Sequence, residues 1–209
     1  MSDDKPRKSR SDAELVQTSE NHLKYEVDML AALTEAIPKL GPEEDESFTS
    51  WGIRHALLES FAVHARTLLG FLYSSSPWED DVIAEDFFDD PETWRKARPD
   101  KSAVLSKIHR RVGKEIVHLT YARSRVTKEV KKWPILEIYQ EIATAFRRFL
   151  DLAPKSRLGS SLRKTVSQPD QGETGLEARQ WTTPISSWKD QRTDSSSSGW
   201  TGPNPGIYS

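Results

Sequence analysis

The stretch from Ser50 to Tyr73, SWGIRHALLESFAVHARTLLGFLY, decides how the rest of this chain is read. Its apolar residues Ile53, Leu57, Phe61, Ala65, Leu68 and Leu72 step by three or four, which sets them on one side of an α-helix. Leu58, Leu69 and Phe71 widen that stripe beyond a narrow coiled-coil seam. A helix so broadly apolar belongs at the centre of a bundle. His64 lies between Phe61 and Leu68, beside the stripe, and reads as a hydrogen-bonded core histidine rather than a catalyst.

Working outward, Leu23, Val27, Leu30, Leu33 and Ile37 repeat the same period on a preceding helix that Pro38 and Gly41-Pro42 end. The acidic run Pro42 to Ser47 is expected to be a loop, its charge favouring the positive end of the next helix dipole. After Tyr73, Ser74-Ser75-Ser76-Pro77 stops the helix, and residues 78 to 99 form a long acidic connection. Within it, residues 81 to 88 are expected to make a short helix capping one end of the bundle, with Trp94 doing likewise. A third long helix is expected from Lys101 to Val130, burying Leu105, Ile108, Val112, Ile116, Leu119 and Val126, and would be about 40 Å long. Trp133-Pro134 opens a fourth, with Ile135, Ile138, Ile142, Ala145 and Phe149 inward, ended by Pro154. No alternating pattern competes with these segments, and no internal repeat is present. The fold class is therefore all-α, a four- to five-helix up-down bundle.

The composition limits what such a bundle does. The chain has 209 residues, enough for one domain with extensions. Residues 1–19 read as a disordered arm, 20–152 as the bundle and 153–209 as a disordered tail, in which Ser, Gly and Pro make up roughly 40%. Trp181, Trp188 and Trp200 stand isolated in that tail and read either as short docking motifs for a protein partner or as residual composition without one. Thirty Lys and Arg against 32 Asp and Glu give a net charge of -2, so attraction to nucleic acid has to be local. The absence of cysteine excludes disulfides, thiolate nucleophiles and zinc-thiolate sites. The charged N-terminus MSDDKPRKSRSD is no secretory signal, and no apolar run approaches the roughly 20 residues that span a bilayer. A cytoplasmic protein without a membrane partner is expected.

Dinucleotide-binding, phosphate-loop, serine-hydrolase and zinc-protease signatures are all missing. The aspartates at 80–81 and 86–90 lack calcium-loop spacing, so neither metal nor cofactor is expected. The third helix holds the distinctive polar set. Arg111 and His118 are seven apart, about two turns, with Glu115 between them on the same face. An imidazole moves protons near neutrality and a guanidinium forks a phosphate, so the pair suits metal-free RNA cleavage through the 2′-hydroxyl. The same stripe also reads as an ion-pair network in which Glu115 holds Arg111 and orients His118. Glu59 and Arg66, again seven apart with His55 one turn before Glu59, form a second polar set on the central helix.

The segments Ala56 to Leu72 and Val117 to Arg123 resemble a family of uncharacterised bacterial helical proteins similar to the HEPN superfamily of four- to five-helix bundles. The signature of that superfamily is an arginine, four to six residues, then a histidine, which Arg111 and His118 match. The resemblance covers roughly residues 23 to 152. It implies a homodimer, frequently a metal-independent RNase in a toxin or defence setting, with arginine and histidine of two protomers in one cleft; other members are inactive binding modules. Val112 stands where an asparagine usually follows the arginine, which bears on catalysis more than on fold. On this reading Arg111 neutralises the scissile phosphate, His118 transfers protons and Glu115 or Glu59 tunes it, with Arg66 in support. Lys107, Arg110, Lys114, Arg123 and Arg125 would contact RNA, together with Lys128, Lys131 and Lys132. The alternative is a non-catalytic interaction protein that dimerises through the bundle and docks a partner through the tail, its helix charges being a solvated face.

Overall fold

The computed structural model describes residues 9–40, 47–117, 121 and 133–166. Among them the fold is helical and contains no strand. The helices are α1 (Asp12–Thr18), α2 (Lys24–Ala36), α3 (Phe48–Tyr73), α4 (Glu92–Ala97), α5 (Ala103–Arg111), α6 (Ile135–Leu152) and α7 (Ser160–Val166). No described helix is long and apolar enough to cross a membrane.

Local chemistry sets the starts of these helices. Ser11 and Glu14 form a reciprocal capping box at α1, Ser47 accepts from the Ser50 N–H at α3, and Ser102 accepts from the Leu105 N–H at α5. The C-terminal end of α3 has a more distant partner. The Trp94 indole N–H of α4 donates to the Leu72 carbonyl at 2.9 Å, satisfying an acceptor that the last helical turn leaves open.

Helix α3 lies at the centre and packs against α2, α5 and α6. Its C-terminal half buries one face, from Phe61 through Ala65 and Leu68 to Leu72, while the N-terminal half does not: Phe48 is 86% and Ile53 49% exposed. Ile53, read as part of the buried stripe, thus lies outside it, because the surrounding helices cover only the later turns. The expected cap on the bundle is present. Phe87, Phe88 and Trp94 pack with Phe71, Phe146 and Phe149, and Phe149 makes near-perpendicular contacts to Phe71 at 5.0 Å and Phe87 at 5.3 Å.

Both ends of the packed unit extend beyond the limits read from sequence. Residues 12 to 19 are helical, not a frayed arm, and Leu15 and Ser19 are buried. At the other end, residues past Ala153 continue into a 3-10 turn (Lys155–Arg157) and α7, with Leu158 and Leu162 buried. Their Ser- and Gly-rich composition concealed this. A π-helical turn at Ser19–Leu23, joining α1 to α2, sets Ser19 and Glu20 against the C-terminal segment. The Gly159 N–H donates to the Ser19 hydroxyl at 2.7 Å, and Glu20 accepts from the Ser161 N–H at 3.0 Å and its hydroxyl at 2.6 Å. A Cβ on Gly159 would lie 2.1 Å from a Glu20 carboxylate oxygen, so only glycine allows this approach. The three tail tryptophans lie outside the described residues.

Candidate nucleic-acid interface

Helix α5 divides its faces by charge. Along α5 and the π-helical residues that follow it, Leu105, Ile108 and Val112 are buried against the bundle, and Lys107, Arg110 and Lys114 are exposed.

The expected continuous α-helix from Lys101 is not what forms. The α-helix starts at Ala103 and gives way after Arg111 to a π-helical segment, Val112–Val117. Hydrogen bonds there span five residues, so each turn is wider and the rotation per residue smaller. The residues between Arg111 and His118 are therefore not the α-helix on which the two-turn spacing was read. His118 itself, with Arg123 and Arg125, lies outside the described residues, as do Lys128, Lys131 and Lys132.

Arg111 sits at the junction in a defined setting. Its Nε donates to Glu115 Oε1 at 3.0 Å and its Nη2 to Oε2 at 3.0 Å, a two-bond fork. Its guanidinium carbon lies 4.1 Å from the centre of the Trp133 ring, which covers one face of the cation. The two charged side chains are 17% and 20% exposed, so the pair is sheltered yet reachable. The sequence placed Arg111 and Glu115 together but gave no sign of Trp133, which reads there only as the residue before a helix-starting proline. A ring delivered across roughly twenty intervening residues has no periodic signature.

The second polar set separates. Arg66, half-buried on α3, comes close to α5: desolvation first, then the charges of Arg66 and Lys101, hold the His109 imidazole below its ordinary value. Glu59 is exposed and makes no hydrogen bond or ion pair among the described residues. His55 contacts its own helix, its Nδ1 2.9 Å from the Trp51 carbonyl oxygen and its ring tilted against the Trp51 ring at 4.4 Å between centres. His64 is buried with Nδ1 2.7 Å from Glu26 Oε2, the core role read for it. Arg66, His109, Lys107, Arg110 and Lys114 thus gather positive charge on and beside α5 when His109 is protonated. No protein-family model, no curated protein and no solved structure matches this chain significantly, so the interface rests on its own geometry.

Proposed function

We propose that the protein is an RNA-binding module of HEPN-like type that engages RNA phosphates through the outer face of α5. The observation that carries this reading is the helical division itself: Leu105, Ile108 and Val112 inward, Lys107, Arg110 and Lys114 outward on a protein whose total charge is slightly negative. Local cations along these turns supply the sequence-independent phosphate attraction that a neutral total cannot. Trp133, already against Arg111, offers an aromatic edge beside them.

Metal-independent endoribonuclease activity is the catalytic extension. The ribose 2′-oxygen would attack the neighbouring phosphorus and the 5′-oxygen would leave, with His118 transferring a proton and Arg111 holding the phosphate oxygens in place of Glu115. A homodimer would bring two such sets together. The Arg111–Glu115 fork favours the second reading, a non-catalytic interaction protein, because the carboxylate already occupies the face that would receive a phosphate.

Fluorescence anisotropy with single-stranded RNA over a salt series tests the binding. Lys107→Gln with Arg110→Gln should weaken it and flatten the salt slope by about 0.7 per lost phosphate contact. No binding at low salt would sink the RNA reading. Cleavage in chelator, abolished by His118→Ala, would establish the endoribonuclease; binding without cleavage would leave a binding module. Sedimentation gives the oligomeric state, and a strict monomer would remove the two-protomer cleft.

A further inference from the structure

The chain leaves α3 at Tyr73 and begins α4 only at Glu92, and this connection, with α4 and the N-terminal Ser9 and Arg10, surrounds a cleft of about 660 Å³. That volume lies within the range of about 300–1,000 Å³ typical of small-molecule sites. None of its lining residues belongs to the α5 interface. Ile83, Phe88, Pro77 and Pro91 give it apolar walls.

Three carboxylates and three guanidinium groups line the cleft, but they are not equally engaged. Glu85 accepts from Arg95 at 2.6 Å, Asp86 from the Ile83 N–H at 3.0 Å, and Asp89 from Arg157 at 2.5 Å. Arg95 is held in turn by Glu85 and Glu92. The other two arginines differ. Among the described residues Arg10 makes one hydrogen bond, from Nη2 to the Glu79 carbonyl at 3.1 Å. Arg98 lies 5.6 Å from the Tyr73 ring centre, and its Nη1 is buried without a hydrogen-bond partner among the described residues. The facing carboxylate oxygen, Glu85 Oε1, is 4.0 Å away, an ion-pair separation too long for a hydrogen bond. The side-chain hydroxyls of Ser74 and Ser75 make no hydrogen bond among the described residues.

At least one oxygen of each carboxylate is thus engaged, and the donors with capacity to spare are the Arg98 and Arg10 guanidinium groups and two hydroxyls beside apolar walls. A buried guanidinium nitrogen with no acceptor is unfavourable until a ligand supplies one. We propose that this cleft binds a small oxyanion, a phosphate monoester or a carboxylate carried on a compact apolar body. Arg98 and Arg10 grip the oxyanion, Ser74 and Ser75 donate to its remaining oxygens, and Ile83 and Phe88 face the apolar part.

Isothermal titration of the full chain with phenyl phosphate, benzoate, inorganic phosphate and benzyl alcohol tests this. Saturable one-to-one binding of phenyl phosphate or benzoate is expected, the tighter of the two identifying the head group. Inorganic phosphate should bind more weakly and benzyl alcohol not at all. Arg10→Gln and Arg98→Gln should each weaken binding about tenfold, the loss of a charge-assisted contact, and Ser74→Ala with Ser75→Ala less. Arg10 is on the surface before α1, so its variant keeps the test alive if Arg98→Gln fails to fold. No saturable binding of either aromatic anion overturns the proposal, as does unchanged affinity in a folded Arg10→Gln chain. Lys107→Gln with Arg110→Gln should leave this binding intact; its loss in that variant would place the anion on α5 and overturn the cleft assignment.

Discussion

Arg157 and Arg111 are both held by carboxylates, in two regions that use charge differently. Arg157 donates to Asp12 and Asp89 and to the Phe87 carbonyl, joining the start of α1, the connection before α4 and the turn before α7. Its partners lie 68 to 145 residues away in sequence. Beside it the Glu20 carboxylate gathers Ser160 and Ser161 across a similar separation. Arg111 instead bonds Glu115 one turn along its own helix, and the neighbouring Lys107 and Arg110 point outward. Charge at the terminal seam fixes which segments meet. The exposed Lys107 and Arg110 of α5 add little to the fold and are displayed to solvent, while the sheltered Arg111–Glu115 pair ties residues only four apart. A functional surface is to be sought where charges are displayed rather than where they close the chain.

The sharpest way to break this comparison is to measure stability on both sides. Phe149→Ala, at the centre of the aromatic cluster behind the seam, should lower unfolding stability by about 3–5 kcal/mol, whereas Lys107→Gln and Arg110→Gln should each stay within about 0.5 kcal/mol. Denaturant titration checks both, and a large loss from the α5 pair would erase the distinction. Gly159→Ala comes next. The added Cβ meets the Glu20 backbone as well as its carboxylate, so α7 must move away, at a cost of about 1–3 kcal/mol. Faster hydrogen exchange in Ser160–Val166, with α5 unchanged, would locate the damage.

A smaller effect separates the regions by pH. Hydrogen bonds, led by the Ser161 hydroxyl, hold the Glu20 carboxyl below its usual 4.5 despite the opposing effect of burial. A carboxyl with a lowered folded-state value stabilises the fold above its unfolded pKa, and that contribution is lost as pH falls through the folded one. The Tm advantage of the parent over Glu20→Gln should therefore shrink on acidification below about 4.5. The smallest effect is at His109, held below 6.5 by desolvation and then by Arg66 and Lys101. Its stabilising contribution is present above 6.5 and is lost as pH falls through its folded value. Bound RNA phosphates would reverse the local repulsion, so RNA affinity should rise over that same fall in pH. A flat affinity profile, followed by anisotropy, would place the RNA away from His109.

The helices were legible where burial follows a period. Leu23, Val27, Leu30, Leu33 and Ile37 are all buried, as are Ile138, Ile142, Ala145 and Phe149. The reading failed where local composition and tertiary contact disagree. Serine and glycine around 156–161 look like a linker, yet they are the residues small enough to fit against Ser19 and Glu20. At the candidate site, spacing paired Arg111 with Glu115 because a four-residue step is a local property of a helix. It did not reveal Trp133, the approach of Arg66, or the π-helical segment that changes the step towards His118.

By itself the sequence determined the helical class, the inward faces and the divided charge of α5, because side-chain period and polarity act within a few residues of one another. The tertiary structure decided that packing reaches Leu15 at one end and Leu162 at the other, which arginines join segments, and that a donor-rich cleft opens between Tyr73 and α4. Those outcomes depend on contacts between residues tens of positions apart, whose geometry exists only once the helices have packed.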